Sequence, residues 1–72
     1  MNATVGNSYK LKRTSDNEEF DAHLNKEDAH SVLIINIETK ARAWVKKDDF
    51  DNQYEVLSEL PGVKHSEEAP QN

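Results

Sequence analysis

From residue 5 to residue 60 the large apolar side chains fall mostly at every second position, the spacing of strands with one covered face. Tyr9 and Leu11 alternate with Lys10 and Lys12, and Thr14-Ser15-Asp16-Asn17 then supplies turn chemistry. Phe20, Ala22 and Leu24 alternate with Asp21 and His23 up to a second polar break at Asn25-Lys26-Glu27-Asp28. The stretch from His30 to Ile37 is the most β-prone, because Val32, Ile34 and Ile35 are branched at Cβ, and it predicts the central strand. Glu38-Thr39-Lys40 connects it to Ala41-Arg42-Ala43-Trp44-Val45, a hairpin partner. Residues 46–53 are too polar for a strand. Phe50 and Tyr54, four apart, predict one helical or 3₁₀ turn ahead of a closing strand, Tyr54-Glu55-Val56-Leu57.

Two places admit more than one reading. Ser15-x-x-Glu18 matches a capping box, and Phe20 with Leu24 sits at helical spacing, so residues 16–25 read as helix or strand. The strand reading is preferred because it uses three apolar residues where the helix uses two large ones. Strict alternation sets Leu33 and Ile35 on the face opposite Val32 and Ile34, which requires a bulge or a second apolar surface. If exposed, Leu33 or Ile35 would mark a dimer or partner interface. The predicted core is Tyr9, Leu11, Phe20, Leu24, Val32, Ile34, Ile37, Ala43, Val45, Phe50, Tyr54 and Val56. Leu60-Pro61-Gly62 interrupts regular structure, and residues 65–72 contain no large apolar side chain. The expected organisation is one domain over residues 1–60 and a flexible acidic tail over 61–72.

Five short strands with a single turn before the last describe an all-β fold, a small SH3-like barrel. Trp44-Val45-Lys46-Lys47-Asp48-Asp49-Phe50-Asp51-Asn52-Gln53-Tyr54-Glu55-Val56-Leu57 resembles the C-terminal half of small SH3-like proteins of bacteriophages and prophages. These share the order of a tryptophan strand, a polar turn holding a phenylalanine, and a closing strand opened by a tyrosine. Val5-Gly6-Asn7-Ser8-Tyr9-Lys10-Leu11 is similar to their first strand, and about 50 residues are covered in all. The first hairpin departs from the pattern, since it lacks a glycine and is acidic. The resemblance implies a short accessory protein that binds another macromolecule without catalysis.

Charge sharpens this reading. The chain has 72 residues and a formal net charge of −5, and its charges come in blocks. Residues 1–14 carry +3, residues 15–38 carry −6, residues 39–47 carry +4 and residues 48–72 carry −6. An acidic chain disfavours general nucleic-acid binding, because each phosphate contact needs a local cation, yet a basic face remains open to it. With 0 cysteines there is neither a disulfide framework nor a thiolate zinc site. A domain this small buries only about 60% of the surface its unfolded chain exposes, which leaves little room for a catalytic cleft. No enzyme activity and no cofactor are expected. The N-terminus has neither a basic start nor an apolar stretch, and the longest apolar run spans residues 32–35, so a cytoplasmic protein without membrane association is expected.

Several other constellations bear on chemistry. Asp48, Asp49 and Asp51 cluster, but a calcium loop starting at Asp49 needs glycine where Tyr54 stands, so they read as a solvated turn favouring a helix start. The acid pairs Glu18-Glu19 and Glu27-Asp28 lack a shielding pocket. His23 and His30 flank a predicted turn and would face each other across a hairpin, but two imidazoles without a third ligand hold a metal weakly, so both read as surface histidines. No metal site is expected. Gly6 and Gly62 stand alone, so there is no phosphate loop, and no serine lies in a nucleophile elbow.

The basic stripe gives the sharpest candidate. Arg42, Trp44 and Lys46 alternate onto one face of a strand while Ala41, Ala43 and Val45 take the other. Trp44 either stacks on a base or a guanidinium, or covers the barrel edge while the cations solvate it; the second reading is preferred. The candidate binding residues are therefore Arg42, Trp44, Lys46 and Lys47 with the acids Asp48, Asp49 and Asp51. The expected function is binding and inhibition of a host protein by a monomer or homodimer, with an acidic surface imitating DNA as one route. A nucleic-acid accessory factor using the basic stripe is the competing expectation.

Overall fold

A computed structural model describes residues 1–61. Its elements follow the order β1 (Ser8–Arg13), β2 (Glu19–Glu27), β3 (Ser31–Asn36), β4 (Arg42–Lys46), α1 (Lys47–Gln53) and β5 (Tyr54–Glu59). The strands form one antiparallel five-stranded sheet in the order β4-β3-β2-β1-β5. Residues 16–25 belong to a turn and to β2, so the strand reading holds. The expected tail over 61–72 falls, apart from Pro61, outside the described residues.

The two tight hairpins are built alike. In the first, Arg13 N–H donates to Glu18 O at 2.8 Å and Asn17 N–H to Arg13 O at 2.7 Å. In the second, Asn36 N–H donates to Ala41 O at 2.9 Å and Lys40 N–H to Asn36 O at 2.8 Å. Both turns close on a residue in the left-handed region, Asn17 at φ 61° and Lys40 at φ 69°. Asparagine tolerates that conformation, so Asn17 does at the first turn what a glycine would do. The middle turn is held differently: Asp28 Oδ1 accepts from the amides of His30 (2.8 Å) and Ser31 (2.7 Å).

The core lies on one face of the sheet. Tyr9, Leu11, Ala22, Leu24, Val32, Ile34 and Val45 are buried there together with Phe50, and Phe20, Tyr54 and Val56 pack against them half-buried. Helix α1 follows β4 and precedes β5 without a linker, and Phe50 is its one buried residue. Two core expectations are corrected: Ala43 is exposed and Ile37 only half-buried, because Ala43 sits on an outer strand and Ile37 in the β3–β4 turn. Ala22, fully buried between Phe20 and Leu24, was missing from the predicted core.

The central strand is β2, not β3. The apolar character of β3 has another cause, since Leu33 (4% exposed) and Ile35 (1%) are buried on the face opposite the core as well. Neither is the exposed residue that would have marked an interface. The irregularity that alternation demanded lies in the neighbouring strand, where the β2–β3 register shifts between Leu24 and Lys26.

His23, expected at the surface, is 1% exposed and belongs to the same second face. Its Nδ1 lies 2.9 Å from the hydroxyl oxygen of Ser8, its cross-strand partner, which is equally buried. His30 is exposed in the β2–β3 turn, so the two histidines do not face each other. No group of three metal-ligating side chains occurs among the described residues. No helix there is long and apolar enough to cross a membrane.

Candidate functional site: the outer strand β4

The register converts the charge blocks of the sequence into pairs. Basic β1 lies between acidic β2 and acidic β5, with Lys10 opposite Asp21 and Lys12 opposite both Glu19 and Glu55. Lys10 Nζ reaches Asp21 Oδ1 at 3.0 Å and Lys12 Nζ reaches Glu55 Oε1 at 3.5 Å. The hydrogen bond to Asp21 raises the Lys10 pKa above that of a free lysine. Arg13 and Asp16 hold each other ionised across the first turn at 3.1 Å, which raises the arginine pKa and depresses that of the aspartate. The cations of β1 thus neutralise flanking acids, an arrangement that sets strand pairing more than it adds stability at exposed positions.

The second basic block sits in different surroundings. Strand β4 is an outer strand whose one sheet neighbour is β3, Ser31-Val32-Leu33-Ile34-Ile35-Asn36, which carries no charge. Arg42 stands opposite Ile35, Trp44 opposite Leu33 and Lys46 opposite Ser31, so the three share one face as the alternation predicts. Val45 and Ala43 pair with Val32 and Ile34 on the core face. Lys26, opposite Leu33, adds a further cation to the row that ends in Trp44.

Trp44 is 53% exposed, so about half of the residue stays in water where the preferred reading laid its ring over the barrel edge. Register sets Trp44 on the outer face beside Leu33, with Val45 in the inward position, and the place of β4 at the outside of the sheet leaves Trp44 half in water where Leu33, on the inner neighbour, is buried. A large ring held half in water on an outer strand, between two cations, is the form in which aromatic residues serve as contact anchors.

The remaining candidates separate from this stripe. Lys47 turns away to an ion pair with Glu27, Nζ to Oε1 at 2.7 Å. Asp48 and Asp49 occupy the first turn of α1, where carboxylates favour the amide end of a helix. Asp51 lies 3.2 Å from the Met1 amino group. Lys46, Lys47 and Asp48 do meet His30 around an open depression of about 500 Å³, whereas Asp51 lies elsewhere.

One feature of the site was missed by sequence reasoning. Near the start of β4 a slot of about 130 Å³ opens on the core side, lined by Phe20 and Tyr54, by Arg13 and Arg42, and by the small side chains of Ala41 and Ala43. The Phe20 and Tyr54 rings meet edge to face at 5.9 Å, and the Arg13 guanidinium carbon lies 5.7 Å from the centre of the Phe20 ring. Tyr54 also packs on Phe50 at 5.6 Å, which ties the slot to the core. The slot draws on all five strands, so no local spacing announces it; the adjacency of Ala41 and Ala43 to a half-buried aromatic pair comes from sheet order alone. Compared with protein-family models, curated proteins and solved structures, the chain matches none.

Proposed function

We propose that this chain is a non-enzymatic protein-interaction module of SH3-like barrel form, and that β4 is its docking element. The strand order and the short helix between β4 and β5 support the barrel form. The observation that carries the function is Trp44, 53% exposed between Arg42 and Lys46 on an outer strand beside an uncharged one. Binding at such a site removes a large apolar surface from water, and the cations select an acidic partner. The interleaving of Lys10 and Lys12 among the acids of β2 and β5 favours this strand over an acidic, DNA-imitating face. A host protein bound by a phage or prophage accessory factor is the setting implied by the sequence resemblance.

A nucleic acid is the second reading, favoured by the same ring, since an aromatic between cations stacks on bases. The engagement of Lys47 with Glu27 and the acids that follow it weigh against that reading. Capture from a nuclease-treated bacterial lysate by immobilised chain, run beside Trp44→Ala, separates the two. Trp44-dependent retention of a protein supports the module; capture that vanishes with nuclease transfers the site to nucleic acid.

A further inference from the structure

The hydrogen-bond parity of the β3–β4 hairpin shows which backbone groups of β4 face outward. Asn36 N–H donates to Ala41 O at 2.9 Å, and Lys47 N–H to His30 O at 2.8 Å. In an antiparallel ladder bonded pairs recur at every second residue, so Ala43 and Val45, opposite Ile34 and Val32, also turn their N–H and C=O toward β3. The N–H and C=O of Trp44 and the N–H of Lys46 therefore point the other way, along the outer edge of the sheet, while the Lys46 C=O, at the N-cap of α1, belongs to the first turn of that helix.

A strand laid on that edge has its side-chain pattern dictated in advance. The residue opposite Trp44 shares the outer face with it, and the residues two places to either side come beside Arg42 and Lys46. The residues one place away turn to the core side, next to Ala43 and Val45. Ala43 is small and exposed and borders the 130 Å³ slot, so the side chain beside it has room against the Phe20 and Tyr54 rings.

We propose that β4 recognises an extended segment of a partner protein by strand addition, and that this segment reads acid–apolar–any–apolar–acid. The inference rests on the protein-interaction reading above and names the partner's chemistry. Backbone pairing with Trp44 supplies the register. One apolar residue fills the slot, and the two acids meet the cations that flank the tryptophan. A second copy of the chain joined β4 to β4 fits poorly, because antiparallel pairing about Trp44 sets Arg42 of one copy against Lys46 of the other.

The test titrates the capped heptapeptide Ser-Glu-Leu-Thr-Leu-Glu-Ser into the ¹⁵N-labelled 72-residue chain. Three peptide variants accompany it: one methylated on the threonine amide, one with both glutamates replaced by lysine, and one of scrambled order. The expected result is amide shifts at Trp44, Lys46 and Tyr54, with binding at least about tenfold weaker for the methylated and lysine peptides. Shifts that lie away from β4, equal binding by the methylated peptide, or no shift at millimolar peptide would overturn the inference. Trp44-dependent capture from lysate that persists beside a silent peptide rejects strand addition alone. Failure of both rejects the interaction reading itself.

Discussion

Removing the Phe50 ring is the sharpest perturbation of the fold. Phe50 is fully buried, touches the Tyr54 ring at 5.6 Å, and is the one side chain by which α1 enters the core. Truncating a core phenylalanine to alanine costs about 3–5 kcal/mol, because the transfer free energy of the ring is lost and a cavity remains. At roughly 0.05–0.15 kcal/mol per residue, a fold of about 60 residues has a total stability of only about 3–9 kcal/mol. Phe50→Ala therefore removes at least a third of the stability and, at the lower end, all of it. For a domain of this size a loss of about 3 kcal/mol lowers Tm by roughly 12–24 °C. Urea unfolding followed by far-UV circular dichroism reads the change; the exposed Trp44 is a poorer reporter. Phe50→Leu, which retains most of the apolar volume, should recover most of the loss. A cost below about 1 kcal/mol for Phe50→Ala, with an unchanged urea slope, would refute the placement of Phe50 in the core.

Three further outcomes are expected. Gly6 sits at φ +102° with open space where a Cβ would lie, so Gly6→Ala should cost about 1–2 kcal/mol by backbone strain alone in the same unfolding assay. Ser8→Ala removes the hydroxyl 2.9 Å from buried His23 Nδ1 and should cost about 1–3 kcal/mol, whereas Ser8→Thr, which keeps the hydroxyl, should cost less. The Asp28 carboxylate is held below the usual aspartate pKa by hydrogen bonds from the amides of His30 and Ser31. A depressed folded pKa means that its contribution is complete above about pH 4 and is lost as pH falls through the folded value. The stability gap between the native chain and Asp28→Ala should therefore be wide at about pH 6 and narrow toward about pH 2.5; a gap independent of pH would refute it.

Much of the fold was legible because the sheet has one dominant covered face. Period-two alternation found all five strands, but Asn25-Lys26-Glu27, read as a polar break, continues β2, and the Phe50–Tyr54 spacing marked the helical turn that is α1. The misassignments share a cause, since sequence alternation reports which residues share a face but not strand order or what covers the second face. β3 looked central because Val32, Ile34 and Ile35 make it the most β-prone stretch, and His23 looked exposed because it alternates with apolar Ala22 and Leu24 and so falls on the face opposite the core, the face on which Leu33 and Ile35 are also buried. The β4 stripe was legible as an alternation, yet the exposure of Trp44 follows from the place of β4 at the outside of the sheet. The slot was illegible, because Phe20, Tyr54, Ala41 and Ala43 are brought together by sheet order.

The central claim is that β4 docks a protein partner through Trp44, and the chain contains 1 tryptophan. Replacing it with 5-fluorotryptophan gives a single ¹⁹F resonance at that ring, which can be observed directly in nuclease-treated bacterial lysate. The account predicts that the resonance shifts and broadens in lysate relative to buffer of matched viscosity, and that excess unlabelled chain reverses the change. A resonance of unaltered position and width in concentrated lysate would contradict it.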